Sequence, residues 1–180
     1  ALSHSFEAIW NKNANSRSTD YAIEAICLIL KNVDRINKEP KNIYLRNILL
    51  KASNIAGLAF SNTKTAAAHS ISYPLTINYK IPHGVASSMS LLHLLKINKK
   101  EIKNELSKIL YIMGLHDLNC LINLISEIPG NTINYSLREW GVRSKDLDSL
   151  VSQSFTKGRM DNNIVDLSNQ DVYRIFKGIY

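Results

Sequence analysis

Two histidines, His69 and His83, stand fourteen residues apart in the run T-K-T-A-A-A-H-S-I-S-Y-P-L-T-I-N-Y-K-I-P-H-G. Neutral imidazole is the commonest protein metal ligand. Tyr73-Pro74 reads as a helix breaker between them, followed by a short irregular run to Pro82. Pro82 suits the first turn of a helix, where its missing N–H costs nothing. The spacing therefore predicts a helix carrying His69, a turn, and a second helix opening at Pro82-His83-Gly84. Two helix-borne imidazoles facing each other across that turn can share one ion. Gly84, beside His83, leaves room for a cofactor or a substrate to approach the backbone. Lys64 lies five residues before His69. It is either an exposed lysine at a helix start or an ammonium aimed at an anionic group on a substrate.

The elements that must position these groups are helical nearly throughout. Leu2, Phe6, Ile9 and Trp10 recur at helical spacing over Ala1–Lys12. A second helix capped by Ser18-Thr19-Asp20 carries Ile23, Ile26, Cys27 and Leu30 and ends near Asn32–Asp34. A third runs from about Asn42 to Phe60, its small residues Ala52, Ala56 and Gly57 allowing close packing. The helix from His83 is apolar on more than one side (Val85, Met89, Leu91, Leu92, Leu94, Leu95), which makes it central. Helices follow over Asn98–Gly114, Asp117–Ile128, Ser144–Phe155 and Ser168–Phe176, with one turn at Ser136–Trp140. No strand hairpin and no repeat is visible. The pattern predicts an all-α bundle, residues 1–180 forming one helical domain.

The chain has 180 residues, 45% of them hydrophobic, enough for a real core and against disorder. No apolar run reaches the length of a membrane span. Net charge is +7, from 22 basic and 15 acidic residues. Lys96, Lys99, Lys100, Lys103 and Lys108 alternate with Glu101 and Glu105, which describes a solvated helix face rather than a nucleic-acid stripe. The two cysteines, Cys27 and Cys120, fall in apolar helices and read as buried free thiols of a cytoplasmic, reducing compartment. No G-x-G-x-x-G phosphate loop occurs.

The run A-A-A-H-S-I-S-Y-P-L-T-I-N-Y-K-I-P-H-G resembles the metal-binding signature of the iron-containing (group III) alcohol dehydrogenases. The resemblance implies the helical, dehydroquinate synthase-like α domain of a two-domain enzyme. It also implies a nucleotide-binding α/β domain upstream, which this chain lacks. His69 and His83 match two of the family's histidine ligands. His4, in the opening A-L-S-H-S-F-E-A, fits the histidine of an Asp-x-x-x-His pair. The Asp of that pair would stand just before Ala1, so the chain reads as a fragment cut within a ligand motif. His93 and His116 match no ligand position. Where many members carry a further histidine near the nicotinamide, this sequence has Tyr73. A phenol donates a hydrogen bond but does not titrate near neutrality.

What the resemblance implies for function is an NAD(P)-linked alcohol dehydrogenase or aldehyde reductase. Its metal would be Fe²⁺, with Zn²⁺ as the alternative, and would polarise the carbonyl or alkoxide oxygen during hydride transfer. The stretch around Lys64 and the run Trp10-Asn11-Lys12-Asn13 resemble the phosphonoacetaldehyde reductase branch, which implies a phosphonate-bearing aldehyde met by Lys64 and Tyr73. A homodimer follows from the same resemblance. Two other readings remain open: a glycerol-type polyol dehydrogenase domain, and a non-catalytic basic helical module that binds no metal.

Overall fold

The computed structural model describes residues 1–130 and 133–180. Ten α-helices account for most of it: α1 (Leu2–Ile9), α2 (Ser16–Lys38), α3 (Ile43–Thr63), α4 (Ala67–Tyr79), α5 (His83–Met89), α6 (Leu91–Asn98), α7 (Lys103–Met113), α8 (Leu118–Ser126), α9 (Leu147–Gln153) and α10 (Asn169–Gly178). Short 3₁₀ turns lie at Leu137–Trp140, Ser144–Asp146 and Met160–Asn162. Among the described residues there is no strand, and the β pairing consists of an isolated antiparallel bridge between Asn11 and Asn163. The all-α expectation holds.

The long helices start where side chains can serve orphan backbone donors. Asn15 caps α2: its Oδ1 accepts from Ser18 N–H at 3.0 Å, and Ser18 Oγ accepts from Asn15 N–H in return. The cap thus lies three residues earlier than Ser18, and α2 runs on to Lys38, beyond the expected Asn32–Asp34. Asn13, just before α2, reaches Thr63 at the end of α3, while Glu24 meets Lys51. The two helices therefore run antiparallel. Ala25, Ile55 and Ala56 fill the space between them, small side chains letting the backbones approach.

α4 corrects the sequence reading. Tyr73-Pro74 does not break the helix, which continues to Tyr79 with Pro74 inside it. A mid-helix proline costs about 3 kcal/mol through the lost hydrogen bond and the ring clash. The cost is met by burial: Ile71, Pro74 and Leu75 are all core residues. The break comes at Lys80, in the left-handed region at φ 57°. Pro82 then caps α5, and His83 is its first residue. The long central helix expected from His83 is divided at Ser90 into α5 and α6. The expected Asn98–Gly114 helix likewise starts only at Lys103, after a turn, and Gly114 stops it at φ 66°.

The core gathers Phe6 and Trp10 from α1, Ile26 from α2, Ile71 and Leu75 from α4, Leu91, Leu94 and Leu95 from α6 and Phe176 from α10. Cys27 is buried as expected, whereas Cys120 is only half-buried. The end of α1 is joined to the far end of the chain. Ile164 N–H donates to Trp10 O at 2.9 Å, and Lys12 N–H donates to Asn162 O at 2.8 Å. Lys12 also forms an ion pair with Asp166. Beside this seam, Asn98 and Asn163, both fully buried, exchange reciprocal carboxamide bonds. Among the described residues no single helix is long and apolar enough to cross a membrane.

Candidate metal centre

Three helices bring His4, His69 and His83 together. α1 presents His4, α4 presents His69 and α5 opens on His83. Ser3 of α1 donates its hydroxyl to Ser87 O at 2.9 Å, which fastens α1 to α5. The His69 ring lies 4.2 Å from that of His4 and 5.2 Å from that of His83, centroid to centroid. Phe60, near the end of α3, also stacks on His4, at 4.2 Å. Phe60 was not singled out in the sequence. Ring packing of this kind is not yet ligation: among the described residues no three His, Cys, Asp or Glu side chains stand in metal-ligand geometry.

The residue that organises the cluster is Glu7. It is 0% exposed. Its Oε1 accepts from Ala66 N–H and His69 N–H, both at 3.0 Å, and its Oε2 pairs with His69 Nδ1. A carboxylate is acceptor-only, so the arrangement assigns the His69 proton to Nδ1. The lone pair is then on Nε2. That atom is buried and has no hydrogen-bond partner, while the residue is 3% exposed. A buried polar atom without a partner carries a desolvation cost of about 1–3 kcal/mol, which a ligand bound at Nε2 would offset. A carboxylate holding one ring nitrogen while the other faces outward is how proteins orient a metal-binding histidine. The donor set fits a divalent iron or zinc ion.

The electrostatics keep the imidazoles in the ligand form. Burial pushes the His4 pKa down to about 3, helped by His69 and His83. Partial desolvation, then His69, also lower that of His83, against the pull of Glu7. Both rings are neutral at neutral pH, with lone pairs free to bind a cation.

Glu7 had a signal in the sequence. It stands three residues after His4, so the two share a helix face, and it is a carboxylate set between Phe6 and the apolar run Ala8-Ile9-Trp10. The other expected residues fall around the cluster. Gly84 is exposed, and a Cβ there would meet no protein atom within 4 Å, so the backbone fronts open space. Tyr73 is half-buried one helical turn beyond His69, and its hydroxyl accepts a long bond of 3.4 Å from Arg159 Nε. Lys64 is exposed and starts no helix. It caps the C-terminus of α3, at φ 66° and ψ 178°. Three carboxamides hold the strap it belongs to: Asn11 Nδ2 on Lys64 O, Asn13 Nδ2 on Thr63 O and Asn162 Nδ2 on Thr65 O.

Helices from the first half of the chain thus converge on a buried carboxylate–imidazole pair flanked by two more imidazoles. The profile described as Fe-containing alcohol dehydrogenase family, C-terminal, matches residues 1–180, and the chain belongs to that family. It is 27% identical to the 1,3-propanediol dehydrogenase of Klebsiella pneumoniae over 186 residues, 98% of this chain and 48% of the relative. It is 27% identical over 191 residues to the 4-hydroxybutyrate dehydrogenase of Clostridium kluyveri, which covers 100% of this chain and 51% of the relative. The crystal structure of the sulfoacetaldehyde reductase of Bifidobacterium kashiwanohense, in complex with NAD+, superposes with a TM-score of 0.90 at 26% identity. That likeness covers 99% of this chain and 47% of the reductase. The chain spans about half the length of the curated relatives it matches.

Proposed function

We propose that this chain is the helical, metal-holding half of an NAD(P)-dependent alcohol dehydrogenase or aldehyde reductase. One observation carries the reading. His69 has Nδ1 committed to Glu7 and Nε2 buried without a partner, with the rings of His4 and His83 on either side. His4, His69 and His83 hold Fe²⁺, with Zn²⁺ the alternative occupant. A bound divalent ion supplies Lewis-acid polarisation of a carbonyl or alkoxide oxygen. Glu7 fixes the ring and tautomer of His69 and offsets the positive charge from the far side of the imidazole. Phe60 covers His4 and keeps water from that side. Tyr73 offers its hydroxyl one turn from His69. Gly84 leaves open space beside His83 for the nicotinamide, whose binding falls to the half of the relatives that this chain does not span.

The substrate is a small alcohol or aldehyde bearing an anionic group, a phosphonate or a group like it. The names of two relatives, sulfoacetaldehyde reductase and 4-hydroxybutyrate dehydrogenase, denote anionic molecules, and this chain carries a net charge of +7. The similarity to a 1,3-propanediol dehydrogenase supports the second reading, a neutral polyol. The free thiols Cys27 and Cys120 support a cytoplasmic location.

Titration of anaerobic Fe²⁺, and separately Zn²⁺, into the protein extended to the length of its relatives tests the metal site. One ion per chain is expected, with a rise in melting temperature because binding stabilises only the folded state, by about 2.7 kcal/mol at a hundredfold excess over Kd. His69→Ala and His83→Ala should remove it. Absence of binding for both metals in the extended wild-type protein refutes the site. In the protein extended to the length of its relatives, NAD(P)H oxidation by an aldehyde should be lost on chelation and restored by Fe²⁺.

A further inference from the structure

We propose that Arg159, with Tyr73 as its partner, is the residue that recognises the anionic group of the substrate; this rests on the aldehyde reductase reading above. Arg159 lies ninety residues from His69 in the chain. The fold nevertheless bolts the turn around it to the start of α4. Thr156 N–H donates to Ser70 Oγ at 3.1 Å, and Ser70 donates its own hydroxyl to Ser154 O. Asn162 Nδ2 donates to both Thr65 O and Gly158 O at 2.9 Å. Ser70 is the next residue after His69, so the helix that presents the imidazole also positions the guanidinium.

Arg159 is half-buried, and its guanidinium faces no carboxylate among the described ion pairs. Its Nη1 donates to Gly158 O at 2.8 Å and its Nε to Tyr73 Oη at 3.4 Å. Neither bond uses Nη2. A planar fork partly withdrawn from water, with donors to spare and no counter-charge, matches a carboxylate, sulfonate or phosphonate in two-point contact. Tyr73 sits four residues after His69, so the two side chains stand on one helix face a turn apart. Because Tyr73 accepts from Arg159, its own proton is free to donate. The pair therefore presents N–H and O–H donors together, beside the imidazole cluster.

Lys64 fits the role less well. Its ammonium is exposed and makes no hydrogen bond or ion pair among the described residues, and its backbone, not its side chain, is what the Asn11 carboxamide grips. A mobile, fully hydrated ammonium loses more entropy on binding than a guanidinium already held at two points.

The test uses the protein extended to the length of its relatives and loaded with Fe²⁺. Sulfoacetaldehyde serves as the anionic probe and propanal as a neutral aldehyde. Arg159→Ala is expected to raise KM for sulfoacetaldehyde about 10- to 100-fold, the loss of a hydrogen bond to a charged group, while kcat/KM for propanal stays within about threefold. Tyr73→Phe should give a smaller rise confined to the same substrate. Should Arg159→Ala lose its helical circular dichroism, Arg159→Lys carries the test. It keeps the charge without the fork and should show the same selectivity of loss. Equal losses on the two aldehydes, no loss on either, or a selective loss at Lys64→Ala with none at Arg159→Ala overturns this inference alone. A wild type that reduces neither aldehyde with either nicotinamide overturns the function reading first, and this inference with it.

Discussion

Glu7→Gln is the substitution that tests the site most directly. Glutamine has the shape of glutamate, and its Oε1 can still accept from Ala66 N–H and His69 N–H, the two bonds of 3.0 Å. What changes is the contact with His69 Nδ1. The carboxylate Oε2 accepts there; a carboxamide nitrogen can only donate. His69 Nδ1 must then become the acceptor, which moves the ring proton to Nε2. The atom that faced the site with a lone pair would face it with an N–H. A metal ion can recover the ligand only by forcing the tautomer back and leaving the carboxamide N–H against Nδ1–H. Losses at such supporting residues run to about 10- to 100-fold in metal affinity. At about 1.4 kcal/mol per tenfold, that is about 1.4–2.8 kcal/mol. Stability without metal should fall less, because the backbone bonds survive. Glu7→Ala, by contrast, strands Ala66 N–H and His69 N–H at about 1–3 kcal/mol each. Calorimetric titration of Zn²⁺ gives the affinities, and ¹⁵N–¹H spectra of the imidazole give the tautomer. Unchanged affinity together with an unchanged Nδ1–H tautomer in Glu7→Gln would refute the account of how His69 is held.

Three further outcomes are expected. Lys64 occupies a backbone region close to glycine-only, which costs of order 1–3 kcal/mol; Lys64→Gly should therefore raise stability in urea melts, and a fall would show the strain is not there. A Cβ added at Gly178 would lie 2.3 Å from His93 Nε2. Gly178→Ala should cost about 1–3 kcal/mol as an overpacked contact, and pairing it with His93→Ser should recover most of that; additive losses would refute the clash. The Ser168 hydroxyl, and then the Ser168 N–H, hold the Asp171 carboxyl below its ordinary value of 3.8. A group with a depressed folded pKa contributes stability that is present above its unfolded pKa and lost as pH falls through the folded one. Asp171→Asn should lower the melting temperature at pH 6 and flatten the fall below pH 4; an identical acid limb in the variant would remove Asp171 from the account.

Helical order was legible because apolar spacing survives in nearly every segment, and Ser168 could be named as the cap of α10 from residue type alone. The errors have physical causes. Pro74 reads as a breaker by propensity, and only the burial of Ile71, Pro74 and Leu75 shows why α4 tolerates it. Ser90 divides α5 from α6 inside an unbroken apolar run, where no residue signals a stop. The histidines were found through a motif that is local in sequence. Glu7 belongs to no such motif, though its place among Phe6, Ile9 and Trp10 marks it in hindsight as a carboxylate that must have buried partners. Arg159 gave no signal, since its meaning lies entirely in the packing of its turn against α4.

The seam between Trp10–Lys12 and Asn162–Asp166 has a consequence for synthesis. α1 leaves the ribosome about 150 residues before the segment that holds its end in place, a wait of roughly 8–30 s at ordinary elongation rates. Through that interval Trp10 O and Lys12 N–H lack their partners Ile164 and Asn162, while His4 already has Phe60 and His69 available. A nascent polypeptide halted short of Asn162 thus has all three histidines translated and the helix bearing His4 moored through Ser3 and Glu7, but the end of that helix still loose.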